Sequence, residues 1–322
     1  ERPTMLSRVA DTLYWMSRYL ERADFTARLI DAHLDEDLEP TADAEGEDTH
    51  WRRLLAALRV APSAGSAVNA GTVMRMLTLD PQHPASIVRN IALARENARQ
   101  ARDRISSDMW EQINRLYLKV KLARLESLVE SQPHDFFQAV MEGAQLFHGV
   151  TESSICHDEG WQFIRLGRSL ERAGAVLAFL DAHADQVVRA ARTPGDLDWI
   201  GLLRCCNAFE AYCRFYTADP KIERIAEFLL LNPEFPYSVR FSVEAVKQAI
   251  IGIALTTPNR RPLRLERMAG RLEATLSFGQ IDEIVAAGYR DYLLDAQRQC
   301  ALIHTALHQH YIQYPVETAP TV

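Results

Sequence analysis

The sequence predicts an all-α fold, a helical bundle made of two pseudo-symmetric repeats that share one core. Three observations carry that expectation. Apolar residues recur in steps of three and four, a landmark motif returns about 150 residues after its first appearance, and convincing two-residue alternation is absent.

The first helix is read from Val9, Leu13, Met16, Leu20, Ala23, Ala27 and Ile30, which fall along one side of a helix. Its counterpart runs through Phe163, Leu166, Leu170, Ala173, Leu177 and Leu180. A third stripe, Ile87, Ile91, Ala94, Ala98, Ala101 and Ile105, uses alanines that let a neighbour approach closely. Pro84 and Ser86 mark its start, with the serine expected to cap the exposed amides. Further helices are expected near 50–60, 109–130, 135–150, 199–217, 221–230, 238–254, 263–275 and 280–313. Connections are expected at the acidic run 35–48 and at 61–71, 193–196 and 256–262, where Gly, Pro, Ser, Thr and Asp cluster.

The repeat is visible residue by residue. Arg18-Tyr19-Leu20-Glu21-Arg22-Ala23 returns as Arg168-Ser169-Leu170-Glu171-Arg172-Ala173, an offset of 150, and nine of the eighteen positions 18–35 are identical in that register. Trp51 answers to Trp199 at 148, and the Asp80-Pro81 segment answers to Asn232-Pro233 at 152. One domain covering 1–322 is expected, with repeat one near 5–150 and repeat two near 151–316.

Composition sets the outer bounds. The 322 residues are 48% hydrophobic and 25% charged with a net charge of -7, which excludes a disordered or collagen-like chain. Apolar stretches such as 249–255 fall far short of the roughly 20 residues of a membrane span. An acidic total argues against a nucleic-acid partner, whose phosphates call for a basic surface. Of the 36 basic residues only Lys119, Lys121, Lys221 and Lys247 are lysines. Arginine suits carboxylates, phosphates and interfaces, although an arginine-favouring base composition is the simpler account of the bias. Five cysteines without C-x-x-C spacing suggest a reducing compartment. With Met5 read as the natural start and no leader pattern before it, a cytoplasmic location is expected.

The leading site candidate is the repeated Arg-x-x-Glu-Arg. Arg18, Glu21 and Arg22 share one helical face beside the apolar stripe, as do Arg168, Glu171 and Arg172. Charges at a core boundary need partners. Either these groups form structural Arg–Glu pairs, or the four arginines converge on a carboxylate or phosphate while the glutamates orient them. In the second version the two helices face one another across a solvent-reachable cavity.

A second candidate is the ridge of Arg89, Arg95, Glu96, Asn97 and Arg99, followed by Arg102, with Arg240 near the place of Arg89 in the second half. It reads as an exposed face laced with ion pairs or as an anion- or partner-binding surface. Glu21, Glu96 and Glu171 are the candidates for an acid–base role, which a raised pKa inside an enclosed pocket would favour.

Other chemistry has less support. His304 and His308 have two-ligand helical spacing with His310 nearby, but no metal site is expected. His33 and His183 repeat in register and are expected as cations at helix ends. Cys156-His157 are chain neighbours, a poor arrangement for a dyad. Walker A, G-x-G-x-x-G and G-x-S-x-G motifs are missing, so no cofactor is expected.

Leu13-Tyr14-Trp15-Met16-x-Arg18-Tyr19-x-Glu21-Arg22-Ala23, Ala94-Arg95-Glu96-Asn97-Ala98-Arg99 and Gly160-Trp161-Gln162-Phe163 together resemble the alpha-E family of bacterial proteins. Phe136-Phe137, Gln145-Leu146-Phe147 and the region of Cys300 add to the likeness, which covers 5–315. The resemblance implies an all-helical protein found beside, or fused to, a circularly permuted ATP-grasp ligase, often accompanied by a transglutaminase-like peptidase. It implies an accessory or substrate-binding part in peptide or amide biosynthesis, with Arg18, Glu21, Arg22, Arg95, Glu96, Asn97 and Arg99 as the motif residues. The alternatives are an enzyme in its own right acting on a peptide or amide, and a structural scaffold forming a homodimer.

Overall fold

The computed structural model describes residues 5–38, 47–62, 67–123, 133–190, 199–216, 221–256 and 263–312, and among them every regular element is helical. In chain order these are α1 (Ser7–Leu38), α2 (Glu47–Ala57), α3 (Ala70–Met74, continued by a π turn over Arg75–Leu79), α4 (Ile87–Gln100) and α5 (Ser107–Lys121). There follow α6 (Pro133–Ser154), α7 (Glu159–Ala182), α8 (Ala184–Ala190), α9 (Trp199–Cys205) and α10 (Phe209–Phe215). The chain ends with α11 (Ile222–Leu231), α12 (Val239–Thr256), α13 (Leu263–Ser277) and α14 (Ile281–Leu307, with a π turn over His308–Ile312). The expected connections at 35–48, 61–71, 193–196 and 256–262, and the far end of the helix expected over 109–130, lie wholly or partly outside the described residues.

Two rings of four helices make the body. In one, α1 packs on α4, α4 on α5, α5 on α6 and α6 back on α1; in the other, α7, α12, α13 and α14 close in the same order. The rings meet where α1 lies along α7. Two shorter helices cross between them, α2 lying on α7 and α9 on α1. The stripes read from sequence explain this packing, since Leu13, Met16, Leu20, Phe163, Leu166 and Leu177 are all fully buried. Each such side chain contributes roughly 1.5–3 kcal/mol through the water it leaves.

Local details recur at the loop positions that the sequence offsets pair. Arg59 and Asn207 both adopt left-handed backbone, with φ of 56° and 52°. Each closes its helix with the same pattern, Val60 N–H bonding Leu55 O and Ala208 N–H bonding Leu203 O, both at 2.8 Å. Asp80 and Asn232 likewise each accept from the backbone N–H two residues on, at 2.8 Å in both cases.

The structure corrects several boundaries. The helix expected over 199–217 is two helices, because Asn207 turns the chain between them. The Ile87–Ile105 stripe outlasts its helix: Ala101 leaves helical geometry at φ -102°, ψ 25°, and Ala101 and Ile105 stay buried beyond the end. Ser86 does not cap with its side chain, since its hydroxyl donates to Thr78 O at 3.2 Å, whereas Ser238 accepts from Phe241 N–H at 3.0 Å. The short α3, its π turn and α8 are too brief for periodicity to reveal. Among the described residues no helix is long and apolar enough to cross a membrane.

Candidate functional site: the crossed arginine–glutamate contact

Helices α1 and α7 touch backbone to side chain at Gly167. A Cβ built there would stand 2.3 Å from both Tyr14 O and Ser17 Oγ, so only glycine permits the approach. One turn further along each helix, the two Arg-x-x-Glu-Arg motifs interleave across the contact.

The pairing is crossed. Glu171 on α7 accepts from Arg18 Nε at 2.6 Å and from Arg22 Nε at 2.7 Å, both on α1. Glu21 on α1 accepts from Arg172 Nε at 2.5 Å and Nη2 at 3.0 Å. His148 on α6 places Nε2 3.4 Å from Glu21 Oε2. Arg168 is the exception, reaching not a motif glutamate but Glu152, at 3.3 Å.

The two glutamates lie deepest in this contact, which sets its electrostatics. The Glu21 side chain is 1% exposed and that of Glu171 11%. Burial alone would raise both carboxyl pKa values, but the guanidiniums win: Arg172, then His148, holds Glu21 far below the ordinary range, and Arg18 and Arg22 lower Glu171. Arg18 and Arg172 are raised in turn because Glu171 and Glu21 outweigh their burial. Arg168 goes the other way: burial first, then the neighbouring Arg172, lower its pKa. Three guanidiniums thus hold the carboxylates of Glu21 and Glu171, and the fourth, Arg168, pairs with the more exposed Glu152, which makes four cations to three anions.

Residues outside the two Arg-x-x-Glu-Arg motifs complete the cluster. Tyr14 lies one turn before Arg18, and its hydroxyl meets His304 Nδ1 of α14 at 2.8 Å and accepts from Arg18 Nη1 at 3.0 Å. Burial, then Arg18, lowers His304 to about 4, so the imidazole is neutral at physiological pH. On the other flank, Tyr237 donates to Asp24 Oδ2 at 3.0 Å, and Arg28 Nη2 donates to Asp24 Oδ1 at 2.9 Å. Arg172 stacks over the Tyr237 ring at 4.0 Å. No signal in α1 or α7 alone could have announced His304 or Tyr237, because both arrive from distant helices or loops.

The expected cavity between the two motif helices is not there. The motifs are pressed together, and space opens on either side of them instead. A cleft of about 500 Å³ is lined by Arg18, Arg22, Arg59 and Glu171, and one of about 310 Å³ by Arg165, Arg168, Arg172 and Glu152. In the second, His157 stacks on Trp161 at 4.0 Å and Arg165 lies over the same indole at 5.3 Å.

The α4 ridge is not part of this site. Arg95 donates to Asn114 at 2.7 Å and lies over Tyr117 at 4.6 Å, fastening α4 to α5. Glu96 and Arg99 form an exposed pair at 2.6 Å, and hydrogen bonds from Arg99 and then Gln100 lower Glu96 to about 2. Asn97 is half-buried beside Ala98. Arg89 donates to Gln82 O and Arg240 to Leu231 O at 3.4 Å, so each ties the loop before its helix. None of these residues lines either cleft.

Other expectations change as well. All three acid–base candidates have lowered rather than raised pKa values, because each carboxylate is held by arginine. His33 and His183 are not cations. Burial drives both pKa values down, His183 to about 4, and each imidazole bonds the carbonyl four residues back, Leu29 O or Phe179 O, at 2.8 Å. His33 also lies within α1 rather than at its end. Among the described residues no group of three or more His, Cys, Asp and Glu is arranged to hold a metal ion.

Comparison with known proteins places this geometry in a family. An uncharacterized protein of Mycobacterium bovis is 26% identical over 93% of this chain, and two uncharacterized proteins of Mycobacterium tuberculosis are 26% and 25% identical over the same share. The chain spans only 35% of the length of these relatives. No solved structure matches. The Alpha-E family is described as "a predicted alpha-helical domain with a conserved ER motif", and its model matches residues 5–312. Glu-Arg dipeptides at 21–22 and 171–172 are the two that form the crossed contact, so on both sequence and fold this chain belongs to the Alpha-E family.

Proposed function

We propose that this chain binds a carboxylate- or phosphate-bearing ligand in its arginine-lined clefts, as the accessory or substrate-binding component of an ATP-grasp amide- or peptide-ligase system. One observation carries the binding half: four guanidiniums gather around three carboxylates, Glu21, Glu171 and the more exposed Glu152, which leaves a net positive charge beside the clefts. Arg22, with a 30% exposed side chain, offers donors to one cleft, and Arg168 offers them to the other. An anion entering either cleft gains charge-assisted hydrogen bonds from groups already fixed by their neighbours.

The ligase half rests on the family resemblance. The relatives' additional length leaves room for the ligase domain which that resemblance describes as fused. On this reading the duplicated motif serves as a rigid frame, the glutamates orient the arginines, and chemistry belongs to the ligase. A transglutaminase-like peptidase would act on the product, and the setting would be cytoplasmic. No observation favours the stand-alone enzyme, since a carboxylate held ionised by arginine is a weak base and a poor proton donor.

The test is co-purification and calorimetry with an ATP-grasp ligase encoded beside an Alpha-E gene, together with ligase turnover. Association and a rise in turnover that Arg168→Gln removes are expected. Absence of both association and any effect on turnover would overturn the ligase reading.

A further inference from the structure

The two clefts are not equivalent, and the difference identifies what the larger one lacks. By the sequence offsets of 150 and 152, Asp24 corresponds to Gly174, Arg28 to Ala178 and Tyr237 to Ala85. Asp24, Arg28 and Tyr237 form a closed, buried triad, 2%, 6% and 8% exposed. Its carboxylate holds Arg28 and the tyrosine hydroxyl, and its ring lies on the guanidinium of Arg172. Their three small counterparts, Gly174, Ala178 and Ala85, all line the 500 Å³ cleft. The space filled by a phenol and a carboxylate on one side of the α1–α7 contact is therefore open on the other.

The cationic partners of the missing triad are present. Arg22 is the counterpart of Arg172; it is held by Glu171, and the Tyr19 ring is 5.9 Å from it, against 4.0 Å between Arg172 and Tyr237. Arg59 reaches in from its left-handed helix end and donates to Gly174 O at 3.1 Å, which puts a guanidinium at the position equivalent to Asp24. A Cβ at Gly174 would meet nothing within 4 Å. Arg22 thus has its ring only at the edge of reach, and among the described residues no carboxylate is paired with Arg59.

We infer that this cleft recognises an aromatic carboxylate, its ring lying on Arg22 and its carboxylate meeting Arg59, as Tyr237 and Asp24 do for Arg172 and Arg28. The pairing of flat guanidinium with ring face is a favourable cation–π contact, and the carboxylate matches the fork of arginine. An aromatic amino acid, or a peptide bearing one, has this chemistry. The inference rests on the anion-binding reading above and narrows it to one ligand class at one cleft.

The test is calorimetric titration of the full chain with 3-(4-hydroxyphenyl)propionate, with 3-cyclohexylpropionate and inorganic phosphate as comparisons. The aromatic acid is expected to bind saturably and at least roughly tenfold more tightly than its cyclohexyl analogue. Ala85→Tyr supplies the missing ring and is expected to abolish binding. Arg59→Asn, which places at 59 the residue found at 207, is expected to weaken it at least roughly tenfold. Thermal melts check that both variants are folded, and Gly174→Asp replaces Ala85→Tyr should the latter not fold. Equal binding of the two acids, or binding unchanged when the cleft is filled, overturns the inference. Binding of phosphate without any preference for the ring overturns it while leaving the anion reading intact, and no binding of any probe overturns both.

Discussion

Arg172 on α7 grips both oxygens of Glu21 on α1, and that carboxylate is almost completely sealed from water. Removing one partner strands a guanidinium in the interior. Glu21→Gln is expected to lower unfolding free energy by about 3 kcal/mol, the scale for breaking a buried pair from one side. Arg99→Ala, which breaks only the exposed pair with Glu96, is expected to leave the denaturation midpoint unchanged. Urea titrations of both variants compare them directly.

Acid should weaken the fold in two stages. His183 has its pKa lowered from 6.5 to about 4 by burial, so the unfolded chain binds its proton first. Its contribution is fully present above pH 6.5 and is lost as pH falls toward 4; for His183 alone the loss reaches about 3 kcal/mol. Glu21 and Glu171 are lowered in the folded state, so their contribution is present above 4.5 and is lost at still lower pH. Stability measured against pH should therefore fall steadily below 6.5, and His183→Gln should flatten the first stage.

The glycines of α7 should respond in opposite ways. Gly167→Ala drives a methyl group into the backbone of α1 and is expected to cost about 2–3 kcal/mol. Gly174→Ala meets open space and removes a helix-interior glycine, so it is expected to be neutral or to stabilise by up to about 1 kcal/mol. Thermal melting of the two variants separates the outcomes.

Cysteine reactivity follows burial. Cys156 and Cys213 are exposed, whereas Cys205, Cys206 and Cys300 are buried, and burial pushes the thiols of Cys206 and Cys300 up to about 12. Alkylation of the native protein followed by mass spectrometry should label Cys156 and Cys213 first. Rapid labelling of Cys206 would contradict the packing described.

Much of the architecture was legible because long buried helices write their own periodicity: the stripes through Leu13 and Leu166 needed nothing beyond the chain itself. Elements shorter than two turns, such as α3 and α8, leave no such mark. The Arg-x-x-Glu-Arg motif announced a charged cluster, yet the exchange of partners, with Glu171 serving Arg18 and Arg22 while Glu21 serves Arg172, depends on how α1 and α7 meet. That His304 and Tyr237 join this cluster was hidden for the same reason, since 290 residues separate Tyr14 from His304. Of the α4 ridge, Arg99 stays exposed and paired with Glu96, as the ion-paired reading has it, whereas Arg95 meets Asn114, Trp110 and Tyr117 on α5, which periodicity in α4 could not show. His183 does stand at the end of α7, but neither it nor His33 carries the expected charge, because burial outweighed the helix dipole.

The most direct measurement is side-chain nitrogen NMR of the arginines during titration with acetate or phosphate. Saturable shifts of the Nε–H signals of Arg22 and Arg168, with Arg18 and Arg172 nearly still, are the expected result. Signals that stay fixed up to tens of millimolar anion, roughly the limit of a meaningful site, would show that the crossed cluster holds the helices together and receives nothing.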